Sequence, residues 1–78
     1  MIRNEIDRKP ETFGRRLAAA RVILGLSQAE AAERAGFTQA YLSQLENDKS
    51  SSAPVNTVAK LAEVYGVSID YLVNGEAA

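Results

Sequence analysis

Apolar residues return along this chain at helical spacing, and no alternating run is long enough to make a strand. Phe13, Leu17, Ala20 and Leu24 fall on one stripe. Thr12 stands before them as a hydroxyl cap and Gly25 after them as a stop, which predicts a first helix over 13–24. Val22 and Ile23 lie off the stripe, either idle or receiving Ile2 and Ile6 from the segment before. Ser27-Gln28-Ala29-Glu30 is a capping box, in which the hydroxyl takes an amide of the first turn and Glu30 reaches back. It predicts a second helix ending near Ala35, where Gly36 allows a turn with positive φ. Thr38 caps a third helix over 39–47, and 48–53 reads as a polar loop. Pro54 or Val55 opens a fourth helix with a stripe of Val58, Leu61, Ala62 and Tyr65, ended by Gly66. Ser68 caps a short fifth helix over 69–74, closed by Gly75. The expectation is an all-α domain over 12–75, with a flexible lead-in at 1–11 and a tail at 76–78.

The second and third helices are joined by a short turn around Gly36. Such a pair is the DNA-reading arrangement, although a plain structural hairpin has the same outline. The third helix sharpens the choice. At 100° per residue Leu42 and Leu45 point one way, with Tyr41 and Glu46 at the edges. Ala40, Ser43, Gln44 and Asn47 point the other way, with Gln39 beside them. A solvated face is ordinarily rich in Lys and Glu; this one carries amides, a hydroxyl and a methyl. Gln pairs bidentately with adenine, Ser is versatile, and Ala packs on a thymine methyl. The alternative is an ordinary neutral surface.

Composition narrows the classes. The chain has 78 residues, room for one domain. Cys and His are both absent, which removes disulfides, a thiol nucleophile, an imidazole base and an ordinary zinc site. No nucleophile–base cluster is visible, so no enzyme, metal or cofactor is expected. The longest apolar stretch, from Leu17 to Leu26, is broken by Arg21 and Gly25, so neither a membrane span nor a signal peptide is expected, and the cytoplasm is the expected compartment. The net charge of −1 argues against DNA. Its distribution softens that: residues 1–26 balance at +3 and residues 27–48 at −3.

Phe13-Gly14, Leu17, Arg21, Gly25-Leu26-Ser27-Gln28, Ala32, Ala35-Gly36-Phe37, Leu42-Ser43, Leu45-Glu46-Asn47, Leu61-Ala62 and Tyr65-Gly66-Val67-Ser68 follow one ordered pattern. It resembles the XRE family, the Cro and phage-repressor type of helix-turn-helix regulator, which includes the lambdoid phage repressors and SinR-like regulators. The resemblance covers about residues 12–75. It implies a five-helix, lambda-repressor-like DNA-binding domain that acts as a homodimeric repressor on double-stranded DNA. Gln39, Ala40, Ser43 and Gln44 match base-reading positions. Gln28 matches a phosphate contact at the start of the second helix, with simple capping as the alternative. Thr38, Tyr41, Asn47 and Lys49 match positions along the DNA backbone; Tyr41 reads equally as a core-edge residue. Arg21 and Glu46 match a family ion pair joining the first and third helices.

The departures are informative. Asp48 stands where the family often has Gly and is expected to face phosphate unfavourably. The following Ser50-Ser51-Ser52-Ala53 lacks the family's basic residues. Ala31 replaces a common Leu while Phe37 replaces a smaller residue, and the ring is expected to fill the space. The fifth helix carries Ile69, Leu72 and Val73 with Val67 just before it, more apolar surface than six residues can bury in a small core. These four are the expected dimer interface; the alternative is that all are internal. A two-fold dimer sets its reading helices ~34 Å apart, one turn of DNA, and so reads a palindrome. A prophage switch, a restriction–modification controller and an antitoxin all fit. The competing reading is a protein-interaction module on the same fold, with an unidentified protein partner and no DNA.

Overall fold

The computed structural model describes residues 12–49 and 53–75. Five helices follow one another: α1 (Phe13–Ile23), α2 (Gln28–Ala35), α3 (Gln39–Glu46), α4 (Val55–Tyr65) and α5 (Ile69–Asn74). There is no strand among the described residues. Each expected helix is present, with α1 and α3 one residue shorter at their C-terminal ends.

The helix starts follow from side-chain chemistry. The hydroxyls of Thr12, Ser27, Thr38 and Ser68 each accept an amide of the first turn at 2.9–3.1 Å. Each satisfies a donor that helix geometry leaves without an intrahelical partner. Glu30 returns the contact, accepting the Ser27 amide at 2.9 Å, which completes the capping box and holds its carboxyl below the usual carboxylate range. Pro54 precedes α4 without a side-chain cap.

The core is one cluster. Leu17, Leu42, Leu45, Leu61 and Leu72 are fully buried at its centre, each worth ~1.5–3 kcal/mol of transfer free energy. Ala31, Ala32 and Ala35 let α2 lie close on α3 and α4. One expectation is corrected. Leu24 falls one residue beyond α1, where the helix has ended, and is half exposed; Leu26 from the turn takes the core place. Phe37 is half buried and meets Tyr41 edge-on, with ring centroids 5.4 Å apart. Val22 and Ile23 are exposed, as the stripe implied. Their expected contact with Ile2 and Ile6 lies outside the described residues. No described helix is long and apolar enough to cross a membrane. No group of three or more metal-ligating side chains forms among the described residues.

Candidate nucleic-acid interface

Three residues separate α2 from α3. Gly36 takes φ +80°, a left-handed conformation that an L side chain resists, and the chain reverses there. Its amide and that of Phe37 return to Glu33 and Ala32 carbonyls, closing α2. Thr38 then opens α3 at once. Its hydroxyl accepts the Tyr41 amide, so its own hydrogen stays available to an outside acceptor.

The outer face of α3 divides into two groups. Gln39, Ala40 and Gln44 are exposed, while Leu42 and Leu45 anchor the opposite face in the core. Ser43 is half buried. Asn47 is exposed, but its amide folds back to donate to the Ser43 carbonyl at 2.8 Å and hydroxyl at 3.3 Å. Tyr41 is half buried, with its hydroxyl 3.4 Å from that of Thr57. That is the core-edge role the sequence left open, with one side of the residue still at the surface. Lys49 is exposed just past α3, its amide bonded to the Gln44 carbonyl at 2.9 Å.

A polar hub fixes the angle of α3. Arg21 Nε donates to Glu46 Oε2 at 2.8 Å and Nη2 to Oε1 at 3.1 Å, a bidentate pair. Side-chain exposure is 16% for Arg21 and 5% for Glu46, so the pair lies mostly out of water. Arg21 Nη1 also donates to the Leu26 carbonyl at 2.8 Å, at the turn before α2. The hydrogen bonds to Glu46 raise the Arg21 pKa against the opposing effect of burial. The Gln28 amide nitrogen donates to Glu46 Oε1 at 3.0 Å. Gln28 therefore does not simply cap its own helix; it is tied to the end of α3.

Three further residues of this frame were missed or misread in the sequence. Gly14 sits where α1 meets the end of α3. A Cβ there would lie 2.5 Å from the carbonyl oxygens of Leu45 and Glu46. Its signal was visible in principle, since Gly early in a helix costs ~1 kcal/mol against Ala and asks for a reason. Asp48 is exposed, and its carboxylate reaches the start of α1. It takes φ +56° and accepts the Gly14 amide at 2.9 Å and the Thr12 hydroxyl at 2.7 Å. Its charge lies at the N-terminus of α1, where the helix dipole is positive. Arg16 is buried, donating from Nε to the Leu72 carbonyl at 2.8 Å and from Nη2 to that of Val73 at 2.9 Å. It satisfies carbonyls at the end of α5 that have no intrahelical donor.

The expected dimer surface is corrected at one position. Leu72 is fully buried in the core and makes no surface. Ile69 and Val73, one turn apart, remain 43% and 50% exposed, and Val67 is half buried. Tyr65 is buried with no partner for its hydroxyl among the described residues, and burial pushes its pKa up to about 12. The lead-in at 1–11 and the tail at 76–78 lie outside the described residues.

Comparison with known proteins agrees with this geometry. Residues 17–72 match the helix-turn-helix family model. The HTH-type transcriptional regulator PuuR of Escherichia coli K12 is 46% identical over 56 residues, covering 72% of this chain. The chain spans only 30% of the length of that relative. The P22 c2 repressor, solved in complex with a synthetic operator, superposes with a TM-score of 0.79 at 26% identity, over 85% of this chain and 98% of its own. SinR, the master regulator for biofilm formation, solved in complex with DNA, gives a TM-score of 0.75 at 31% identity, over 78% of this chain and 97% of its own. The relatives are DNA-binding regulators rather than enzymes. This chain belongs to the XRE-type helix-turn-helix family of transcriptional regulators.

Proposed function

We propose that the chain is a sequence-specific repressor that binds a palindromic operator as a homodimer in the cytoplasm. The observation that carries this reading is the exposed outer face of α3, with Gln39, Ala40 and Gln44 following a three-residue turn. In this reading residues 12–75 are the DNA-binding unit. Gln39, Ala40 and Gln44 meet base edges, and Ser43 contributes from the same face. Gln28, Thr38, Tyr41, Asn47 and Lys49 set the register on the phosphates. The α2 N-terminus adds the Gln28 and Ala29 amides, which have no intrahelical acceptor, as an anion site. Ile69 and Val73 with Val67 form the two-fold contact. A prophage switch, a restriction–modification controller or an antitoxin gene is the setting that such a regulator serves.

The test is a panel of operator variants titrated at several salt concentrations. Gln39→Ala and Gln44→Ala should each cost ~1–3 kcal/mol on the preferred operator and relax preference at one position per half-site. Lys49→Ala should weaken all sequences alike, and make the salt slope shallower by about one unit per lost phosphate contact. Base preferences that survive both Gln substitutions would refute α3 as the reader. A strictly monomeric protein at tens of micromolar would refute the dimer. The net charge of −1 favours one other reading, an interaction module without DNA. A chain that shifts no genomic fragment near its own gene in a mobility assay would establish that alternative.

A further inference from the structure

Glu46 carries more hydrogen bonds than its ion pair requires. Oε2 accepts Arg21 Nε, while Oε1 accepts both Arg21 Nη2 at 3.1 Å and Gln28 Nε2 at 3.0 Å. Arg21 grips Glu46 and the Leu26 carbonyl together, so the carboxylate is pinned between the turn before α2 and the last residue of α3. It cannot follow Gln28 outward.

An ionised carboxylate only accepts. Gln28 must therefore turn its NH2 toward Glu46, and one of the two hydrogens is spent there. The other hydrogen and the carbonyl oxygen are left for whatever meets the N-terminus of α2. A long side chain that is free in solution loses rotamer freedom when it binds; one already fixed loses less. We infer that Glu46 is a positioning residue for backbone recognition, holding the Gln28 amide in its phosphate-binding orientation before DNA arrives. The inference rests on the reading of Gln28 as a phosphate contact. It also reverses the sign that simple charge would give. An acid near DNA repels phosphate, so removing its charge should tighten binding; a positioning acid, once removed, should loosen it.

The experiment uses the full chain and a duplex operator selected from random sequence by the wild type. Affinity is measured for wild type, Glu46→Gln, Gln28→Ala and the double variant, with melting curves confirming that each is folded at the assay temperature. Gln28→Ala should bind about 3- to 10-fold more weakly per half-site, the loss expected for one unmade hydrogen bond in an otherwise intact interface. Its salt slope should be unchanged, since a neutral amide displaces no counterion. Glu46→Gln should also weaken binding, with little added loss in the Gln28→Ala background. Tighter binding by Glu46→Gln, or an equal loss in both backgrounds, would overturn the inference while leaving DNA binding intact. A wild type that selects no duplex overturns the DNA reading and this inference with it. Should Glu46→Gln fail to fold, ¹⁵N relaxation of side-chain amides in free wild type decides. Gln28 Nε2 should be as ordered as the backbone; motion equal to that of the exposed Gln39 and Gln44 amides would overturn the inference.

Discussion

Replacing Arg21 with Met tests the frame that holds the reading helix. The change keeps the apolar stem and removes the guanidinium, and with it three hydrogen bonds, two to Glu46 and one to the Leu26 carbonyl. Glu46, 5% exposed in the intact protein, would keep the Gln28 amide as its hydrogen-bond donor among the described residues. Breaking a buried pair by removing one partner costs ~3–5 kcal/mol, against ~0–1 for an exposed pair. Arg21 retains some solvent, and Gln28 still serves Glu46, so the low end applies, about 3 kcal/mol. A domain of this size has ~4–12 kcal/mol in total, so the loss is a large fraction of its stability. It should appear as a fall in Tm of about 12–24 °C by circular dichroism, with the urea midpoint moving in proportion. Arg21→Lys should fall between, because a point charge cannot replace the bidentate fork. A loss under ~1 kcal/mol for Arg21→Met would refute the argument, since it would place the pair energetically at the surface.

Gly14→Ala should destabilise despite its gain in helix propensity. The gain is ~0.8–1 kcal/mol, while a methyl 2.5 Å from two backbone carbonyl oxygens forces α1 off α3 at an overpacking cost of ~1–3 kcal/mol. Urea unfolding should show a net loss, and a stabilised variant would contradict the close approach. Tyr65→Phe should be neutral or stabilising by up to ~1 kcal/mol at pH 7, because the hydroxyl it removes is buried and has no partner among the described residues. Burial raises the Tyr65 pKa from 10.0 to about 12, so its share of stability is full below pH 10 and lost as pH rises toward 12. The alkaline decline in Tm should therefore be smaller in Tyr65→Phe, and an identical decline would refute the assignment.

The helices were legible because their boundaries are written in neighbouring residues. Thr12, Ser27, Thr38 and Ser68 cap, while Gly36, Gly66 and Gly75 end helices in the left-handed region. The face of α3 was legible from helix geometry, since at 100° per residue Gln44 stands well round the helix from both Leu42 and Leu45. The polar frame was less so. Asp48 finds its partners in the first turn of α1, and Arg16 finds its own at the far end of α5. No local pattern encodes such distant pairs; the Arg21–Glu46 pair was found through family resemblance, with the helix wheel in agreement. Leu72 was misplaced because a helix of six residues is too short for periodicity to say which apolar side chain faces inward.

The acidic composition loses much of its force against DNA binding once the partners of the acids are known. A formal charge counts every carboxylate equally, whereas a phosphate meets only the field left after local pairing. Glu46 is matched by Arg21. Asp48 is spent on the first turn of α1, where the helix end supplies roughly half a positive charge. Glu30 is bonded to the Ser27 amide at the positive end of α2. Of the four acids in residues 27–48 these three are each held by a donor that offsets them, while Glu33 stands exposed on α2. Positive charge near α3 is also sparse, with Lys49 the exposed base directly after it. In the proposed reading this part of the molecule neutralises few phosphates, so its share of non-specific binding and of the salt dependence is small. Discrimination in that reading rests on neutral contacts, and the exposed outer face of α3, with Gln39, Ala40 and Gln44, offers groups of that kind.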